Sequence, residues 1–295
     1  MKKAWLFFSS CSFNIKTESG YIDNIISLAK DKYNINLEVK NVHKFIIVSG
    51  KENEIYYDGI KVNDLPDAVI LRRYEIYLAR SLEKLGVKVY NNVQSMIDAR
   101  NKMKVHQILS EYKVPTPKTI YIVPMNCHTN VNYNDACKLL NSNKFVLKWL
   151  YGSQGKSVHL VETEEEFNRL ITKYKAKVIC QEYIKSSYGK DIRCYVMGGK
   201  FIGSAIRKSH GDFRSNLAQG GEALKYISND EIKTLAINAA HAVNLDICGV
   251  DILFTENGYT VCEVNALPGF KSIGKTEGIK EEDILLSFLK DKLEE

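Results

Sequence analysis

Residues 249–265 read GVDILFTENGYTVCEVN, a stretch that predicts a β-hairpin. Two apolar runs flank the pair Asn257-Gly258, and this arrangement is typical of a tight turn between antiparallel strands. Side chains alternate between the two faces of a strand, so Glu263 and Asn265 are expected to point the same way. Acidic and amide side chains are therefore predicted inside strands that are otherwise apolar.

The length of the turn decides whether Asp251 joins that face. A two-residue turn at Asn257-Gly258 would place Asp251 opposite Val264, on the other face. A three-residue loop that ends with Gly258 in the left-handed conformation would instead pair Asp251 with Glu263. The second register brings two carboxylates and one amide oxygen together on one patch.

Two carboxylates that face each other on a sheet repel, and buried carboxylates need a partner. A hard divalent cation is the simplest partner, because Mg²⁺ is typically held by one or two carboxylates together with substrate phosphates. Asp251, Glu263 and Asn265 are therefore predicted to bind metal. The alternative is that they line a solvated face of the hairpin, although such a face is expected to be more mixed in composition.

A second feature is a glycine-containing loop after an apolar strand, where residues 145–156 read FVLKWLYGSQGK. Backbone N–H groups of a glycine loop can approach phosphate closely, and Lys148 supplies a positive charge beside them. The spacing matches neither the Walker A pattern nor the Rossmann fingerprint, so an ordinary hairpin loop is the alternative.

A third feature is an apolar strand that ends in Gln181-Glu182-Tyr183 and is followed by Asp191. Basic side chains are then frequent in the last third of the chain: Arg193, Arg207, Lys208, His210 and Arg214. Charge alone fits an anion-binding wall and a solvated face equally well.

Length and composition are those of a globular protein with more than one packed unit. The chain has 295 residues, of which 45% are hydrophobic and 26% charged, and a formal net charge of +6. No dense block of Lys and Arg indicates nucleic-acid binding, while the mild positive excess suits anionic ligands such as ATP or an acidic substrate.

The cysteines and the apolar runs bear on the compartment. The seven cysteines are odd in number and form no C-x-x-C pair, which argues against a disulfide framework and against a zinc site. The apolar segment after Met1-Lys2-Lys3 is too short for a signal peptide, and no run approaches the ~20 apolar residues of a membrane span. We therefore expect a cytoplasmic protein without membrane or nucleic-acid partners.

Strands and helices alternate along the first ninety residues, which predicts a small open α/β sheet. Its predicted elements are strands Ala4–Phe8, Phe45–Val48, Ala68–Leu71 and Val87–Tyr90 and helices Tyr21–Lys32 and Ile76–Leu85. One long helix is expected at Ser95–Tyr112, and the later strands are Thr119–Val123, Lys144–Leu150, Ser157–Val161, Lys177–Glu182, Ile192–Met197, Lys200–Ile206, Gly249–Phe254 and Gly258–Val264. Later helices are expected at Asp135–Leu140, Glu164–Tyr174, Asp230–Val243 and Glu282–Lys292.

In this order, the segments resemble the ATP-grasp ligases, and closely their RimK-type, alpha-L-glutamate ligase-like branch. The likeness covers residues 95–280 and is carried by Asn101-Lys102, Lys148 with Gly152-Ser153-Gln154-Gly155, Gln181-Glu182-Tyr183-Ile184, Lys190-Asp191-Ile192-Arg193, Gly211–Asn216 with Gly220-Gly221, Gly249-Val250-Asp251 and Glu263–Gly269. One departure is Asn101, which stands where most relatives have Asp.

The resemblance implies a chain of the α/β class, more narrowly the α+β ATP-grasp fold. A small N-terminal open α/β domain would be followed by two ATP-grasp subdomains that clasp ATP. The implied boundaries are 1–94 for the N-terminal domain, 95–184 for the central subdomain and 185–295 for the C-terminal subdomain, which would carry the metal site.

The resemblance also implies roles for single residues. Lys102 and Lys148 would contact the nucleotide phosphates, under a loop of Gly152, Ser153, Gln154 and Gly155. The adenine would lie at the hinge formed by Glu182, Tyr183 and Ile184, and Asp191 would hold the ribose. One or two Mg²⁺ ions, replaceable by Mn²⁺, would be bound by Asp251, Glu263 and Asn265. The γ-phosphate and the acyl-phosphate would lie near Arg193, Arg214 and Asn216.

The implied reaction is an ADP-forming ligation, in which ATP phosphorylates a carboxylate and an amine then displaces the phosphate. The implied partners are a carboxylate of a peptide, a protein C-terminus or a small molecule, and an amino acid such as glutamate; relatives also suggest homo-oligomers. Two alternatives are an ATP-grasp kinase that phosphorylates a hydroxyl and a non-catalytic nucleotide-binding protein. A requirement for an amine separates ligase from kinase, and ATP consumption separates both from the third.

Overall fold

A computed structural model describes residues 1–8, 15–125, 128–152, 155–174, 176–215 and 220–295. The strands in chain order are β1 (Lys2–Phe8), β2 (Ile35–Asn41), β3 (Phe45–Val48), β4 (Glu54–Tyr57), β5 (Ile60–Lys61), β6 (Ala68–Leu71), β7 (Lys88–Tyr90), β8 (Thr119–Ile122), β9 (Pro124–Met125), β10 (His128–Thr129), β11 (Phe145–Trp149), β12 (Val158–Val161), β13 (Val178–Glu182), β14 (Lys190–Met197), β15 (Lys200–Lys208), β16 (Glu222–Lys225), β17 (Ile247–Thr255) and β18 (Gly258–Asn265).

The helices are α1 (Ile15–Tyr33), α2 (Ile76–Lys84), α3 (Val93–Arg100), α4 (Lys102–Glu111), α5 (Tyr133–Leu140), α6 (Glu164–Tyr174), α7 (Asp230–Ala242), α8 (Lys271–Glu277) and α9 (Glu281–Glu294). Each helix in the described part of the chain is too short or too polar to cross a membrane.

The first sheet is parallel, with the strand order β2-β1-β6-β7. Along β1, Ala4 and Leu6 face α1 and α9, while Trp5 and Phe7 face α2 and α3. Both faces are thus buried, which explains why the strand is a continuous apolar run rather than an alternating one.

Two parts of this region differ from the sequence-based prediction. Strand β2 was not predicted, although it is an edge strand of the parallel sheet. The predicted strand Phe45–Val48 forms, but in a separate antiparallel sheet with β4 and β5. The cause is a 3₁₀ turn at Val42–Lys44, after which β3 pairs with β4 rather than with the parallel sheet.

The single long helix predicted at Ser95–Tyr112 is wrong, because α3 and α4 are separate helices. The break lies at Asn101, whose backbone is extended (φ −92°, ψ 103°) and whose side chain accepts a hydrogen bond from the N–H of Lys104 at 3.1 Å. Asn commonly caps a helix in this way, since its side chain replaces a missing backbone acceptor. Lys102 consequently begins α4.

The middle of the chain folds into an antiparallel sheet of order β12-β11-β13-β8. Phe145, Leu147 and Cys180 on one face pack against α5 and α6. Alternation along the strands then places Lys148 and Gln181 on the opposite face.

The last sheet is antiparallel, with the order β16-β15-β14-β17-β18. Ile192, Cys194 and Val250 face α4 and α7 in a shared core. The alternating positions Asp191 and Arg193 therefore face away from that core.

The hairpin of β17 and β18 pairs Asp251 with Glu263, as in the second register considered above, but neither of the turns considered there forms. Thr255 pairs with Gly258, so the turn is Glu256-Asn257, and Gly258 has φ +147°, outside the left-handed helical region. A bulge then shifts the register between Asp251 and Ile252 and leaves Cys262 unpaired.

Asn91 ties the parallel sheet to this hairpin. Its buried side chain donates hydrogen bonds to the carbonyl oxygens of Ile247 at 2.7 Å and Ala266 at 2.9 Å, and it accepts one from the N–H of Ile247 at 2.7 Å. These residues lie at the start of β17 and just beyond β18.

We expect Asn91→Ala to lower the free energy of unfolding by about 2–4 kcal/mol, because it removes the side-chain partners of two buried backbone groups of Ile247 and of the partly buried carbonyl of Ala266. The neighbouring Asn92→Ala removes a helix cap and should cost about 1 kcal/mol. Urea-induced unfolding compares the two variants. Equal losses would contradict the linking role of Asn91.

Candidate functional site

Three neighbouring strands carry a row of charged side chains on one face of the last sheet. Arg193 on β14 lies opposite Asp251 on β17, which lies opposite Glu263 on β18. The Arg193 guanidinium donates to both carboxylate oxygens of Asp251, with Nη2 at 2.9 Å from Oδ2. The close approach uses Gly249, where a Cβ would lie 3.0 Å from the Arg193 side chain.

Arg207 on β15 extends the row and is 5% exposed. Its Nε donates to Asp191 Oδ1 at 2.7 Å, and its Nη2 lies 3.0 Å from Asp251 Oδ2. Burial alone would lower the pKa of Arg207, but the carboxylates of Asp191 and Asp251 outweigh burial and raise it well above the usual value. The guanidinium thus stays charged and bridges two acids.

Asp251 is ionised for the complementary reason. Burial would raise its pKa, but the guanidinium groups of Arg193 and Arg207 hold the pKa below the usual value. The amide nitrogen of Asn265 lies 3.4 Å from Asp251 Oδ2, so the three residues predicted to bind metal share one patch.

Glu263 is paired with a different cation from those that surround Asp251. Lys102 Nζ, at the start of α4, lies 2.5 Å from Glu263 Oε1. Burial and the neighbouring Asp251 raise the pKa of Glu263, whereas Lys102 and Lys148 lower it, and the net shift is downward. Both carboxylates of the pair are therefore charged.

The central sheet supplies the wall that faces these strands. Lys148 Nζ donates to Gln181 Oε1 at 2.6 Å and lies 3.2 Å from the sulfur of Cys262, the bulged residue of β18. The two lysines predicted to contact phosphates, Lys102 and Lys148, thus lie beside neighbouring residues of one strand.

The residues predicted to form the hinge lie at the end of β13 and lead to β14. Glu182 accepts a hydrogen bond from the N–H of Lys118 at 3.2 Å, and the ammonium of Lys144 lies over the ring of Tyr183. Ile184 caps a 3₁₀ turn at Lys185–Ser187, and Ser186 from this turn donates to the carbonyl oxygen of Phe254 at 2.8 Å.

Arg214 lies at the glycine loop. It is paired with Asp212, and its Nη1 donates to the carbonyl oxygen of Gly155 at 2.9 Å. At Gly152 an added Cβ would lie 2.1 Å from the Ser157 hydroxyl, so the loop is packed closely there. The predicted site residues Ser153, Gln154 and Asn216 lie outside the described residues.

The donor set suits Mg²⁺ rather than a soft metal. Carboxylate and amide oxygens from Asp251, Glu263 and Asn265 are hard ligands, which fit a hard cation. Among the residues that the structure describes, no group of three His, Cys, Asp or Glu side chains could hold a metal by itself.

Two residues of this site were not assigned from the sequence. Arg207 was grouped only with other basic residues, and Gln181 was quoted only as part of a motif. Asp191 and Arg207 are paired directly across β14 and β15 and therefore share a face, but this follows from the register of the two strands, which the sequence alone does not give.

The chain is similar in sequence to proteins named as probable alpha-L-glutamate ligases. The RimK-like ATP-grasp domain model matches residues 99–289. A probable alpha-L-glutamate ligase from Maridesulfovibrio salexigens is 33% identical over 255 residues, covering 83% of this chain and 83% of that protein. Another from Vibrio vulnificus is 34% identical over 247 residues, covering 80% of this chain and 79% of that protein.

Solved structures share the fold. The ATP-grasp ligase PsnB, in complex with a phosphomimetic variant of minimal precursor, Mg and ADP, has a TM-score of 0.72 at 17% identity and covers 99% of each chain. The D-alanine–D-alanine ligase from Bacillus anthracis complexed with ATP has a TM-score of 0.70 at 18% identity, covering 100% of this chain and 98% of that one. At these identities the likeness concerns the fold alone.

We expect Arg207→Leu to lower the free energy of unfolding by about 3–5 kcal/mol, because it leaves two buried carboxylates short of a counter-charge. Adding Asp191→Leu should restore part of this loss, since one of the two unpaired acids is then removed. Urea-induced unfolding at neutral pH measures both effects. The matched control is Arg214→Leu, whose ion pair with Asp212 is more exposed and should be worth about 1 kcal/mol or less; an equal cost for both arginines would contradict the account.

Proposed function

The chain belongs to the RimK-like ATP-grasp family, and from this premise we propose that it joins an amino acid such as L-glutamate to a carboxylate, with Mg·ATP as the energy source. The sequence-based predictions of the family, of the ATP-grasp fold and of an ATP-dependent carboxylate–amine ligase are confirmed. The observation that carries the proposal is the facing pair of buried Asp251 and partly exposed Glu263, surrounded by cations.

The charge balance of the site favours an anionic ligand. Four cations meet three carboxylates, which leaves one net positive charge on the buried face: Lys102, Lys148, Arg193 and Arg207 against Asp191, Asp251 and Glu263. A polyphosphate supplies the missing negative charge. It also gives Lys102 and Arg193 a second set of anionic oxygens.

We assign the metal to Asp251, Glu263 and Asn265, as one or two Mg²⁺ ions with Mn²⁺ as a substitute. The metal would supply positive charge at the phosphate oxygens. Lys102 is paired with Glu263, and Arg193 is paired with Asp251. Both cations would turn toward the phosphates when the nucleotide binds. Both side chains are long enough to exchange a carboxylate for a nearby phosphate oxygen.

The nucleotide would lie between the central and last sheets. Lys148 would contact the phosphates, and the glycine loop of Gly152, Ser153, Gln154 and Gly155 would close over them. Glu182, Tyr183 and Ile184 would flank the adenine. Asp191, whose carboxylate is oriented by Arg207, would hold the ribose.

The chemistry needs positioning more than covalent participation by the protein. The substrate carboxylate attacks the γ-phosphate in line, and ADP leaves. Arg193 and Arg214, with Asn216, would neutralise charge on the transferred group and orient the acyl-phosphate. The amine then attacks the carbonyl carbon and phosphate departs. Exclusion of water by the closed loop would protect the acyl-phosphate from hydrolysis.

The names of the relatives support glutamate as the amine component. The carboxylate component would be a peptide, a protein C-terminus or a small molecule. The ligase PsnB, which has the same fold, was solved in complex with a precursor peptide.

ATP turnover against a panel of carboxylates and amino acids tests this function. We expect ADP and phosphate, rather than AMP and pyrophosphate, and only when a carboxylate and an amine are both present. ADP formed with a hydroxyl compound and no amine would contradict the ligase and favour a kinase.

We expect Asp251→Asn and Glu263→Gln each to lower Mg·ATP turnover by about 100-fold or more, because each removes a charged metal ligand at nearly constant shape. Circular dichroism and a thermal melt would show that both variants fold. The matched control is Glu256→Gln, an exposed carboxylate in the turn of the same hairpin, which should keep wild-type turnover. Full activity in either of the first two variants would refute the metal assignment.

A further inference from the structure

His106 on α4 is buried, with 5% of its surface exposed, and both of its ring nitrogens have a partner. Nε2 lies 2.8 Å from the side-chain nitrogen of Gln181, and Nδ1 lies 2.5 Å from the hydroxyl oxygen of Thr116. The imidazole therefore connects the central sheet with the segment before β8.

The partners fix the direction of each hydrogen bond. Lys148 can only donate, so the side-chain oxygen of Gln181 faces it at 2.6 Å and the nitrogen of the same amide faces His106. That nitrogen donates to His106 Nε2, and it donates its other hydrogen to the hydroxyl of Thr119 at 3.0 Å. Nε2 must consequently be unprotonated.

The hydrogen bond at Nδ1 agrees with an unprotonated Nε2. The Thr116 hydroxyl donates to the carbonyl oxygen of Val261 at 3.0 Å, so it accepts from His106 Nδ1–H. His106 is then neutral, with its proton on Nδ1. Val261 is the residue just before the bulge at Cys262, so the chain of hydrogen bonds runs from Lys148 to the metal-binding strand.

The surroundings keep the ring neutral. Burial lowers the pKa of His106 to about 3, with Lys148 and Lys102 adding to the effect and Glu263 opposing it. A protonated ring would present an N–H to the N–H of Gln181. The amide would then have to turn over and direct its own nitrogen at the ammonium of Lys148.

We propose that His106 is a positioning residue, which fixes the amide of Gln181 so that its oxygen holds the ammonium of Lys148 in place for the nucleotide. The proposal rests on the proposed function, in which Lys148 contacts the phosphates. His106 is not among the residues assigned to the nucleotide or the reacting groups, so it would act through Gln181 and Lys148. Without it, the Gln181 amide nitrogen loses one of its two acceptors and keeps only the Thr119 hydroxyl, which holds the amide less firmly.

The first test is steady-state kinetics with His106→Leu. The KM for ATP should rise about tenfold or more while kcat falls about threefold or less, because binding is affected and the reacting groups are intact. Leu109→Ala is the matched control, since Leu109 is buried on the same helix and has no part in the hydrogen-bond chain. It should lower the melting temperature and leave the KM for ATP unchanged; a similar rise in KM for both variants would reduce His106 to a packing role.

Two conservative replacements sharpen this test. Glutamine at position 106 can place an oxygen near the former Nε2 and accept from Gln181, whereas asparagine reaches only the position of Nδ1. His106→Gln should therefore recover most of the ATP affinity that His106→Asn does not. Equal affinities in the two variants would overturn the proposal.

The tautomer can be observed directly in the folded wild-type protein. NMR of ¹⁵N-histidine-labelled protein should show His106 neutral with the proton on Nδ1 from about pH 8 to pH 5.5, since its pKa lies far below the ordinary value. In Gln181→Glu the new carboxylate can only accept, so the ring should become an imidazolium. A proton on Nε2 in the wild type, or titration near the ordinary histidine pKa, would overturn the proposal.

Lys148→Met separates this proposal from its premise, with Mg·ADP binding measured by calorimetry. Unchanged affinity for Mg·ADP in Lys148→Met would show that Lys148 does not contribute to nucleotide binding. The positioning role proposed for His106 would then be wrong as well. Weakened binding in Lys148→Met but wild-type binding in His106→Leu would overturn only the role of His106. Weakened binding in both variants is the expected result.

Discussion

The opposition of Asp251 and Glu263 on neighbouring strands is the constraint on which the site depends. Two carboxylates that face each other in a sheet repel, and burial makes each more costly to keep charged. The fold compensates with cations from different elements: Arg193 and Arg207 on the Asp251 side, and Lys102 on the Glu263 side. This balance keeps both acids ionised, as the proposed metal site requires.

The same constraint explains why separate sheets have to meet here. Lys102 is positioned because Asn101 ends α3 and starts α4, and Lys148 is positioned by the central sheet. Asn91 holds both ends of the hairpin from the parallel sheet. The site is therefore a product of the whole chain, although the residues proposed to bind metal lie within one hairpin.

Much of this could be predicted from the sequence, because the decisive signals are local. Alternation along β18 placed Glu263 and Asn265 on one face, and the predicted strands form with small errors at their ends. Several strands were not predicted, among them β2, β4 and β16. The bulge at Cys262 and the break at Asn101 were missed, since periodicity alone does not show where a backbone departs from regular geometry. The contacts of Arg207 and His106 were missed because their partners are remote in sequence or depend on register. The domain boundaries at 94 and 184 stay predictions.

The most direct test of the central claim is the fate of a labelled carboxylate oxygen. The acceptor carboxylate that supports turnover would be labelled with ¹⁸O at both oxygens, and the phosphate released with ADP would be examined by mass spectrometry. If this site forms an acyl-phosphate, the attacking oxygen stays with the phosphate when the amine displaces it, and each phosphate carries one ¹⁸O. Phosphate without the label, at the same yield of amide product, would show that the carboxylate is not phosphorylated and would contradict the account.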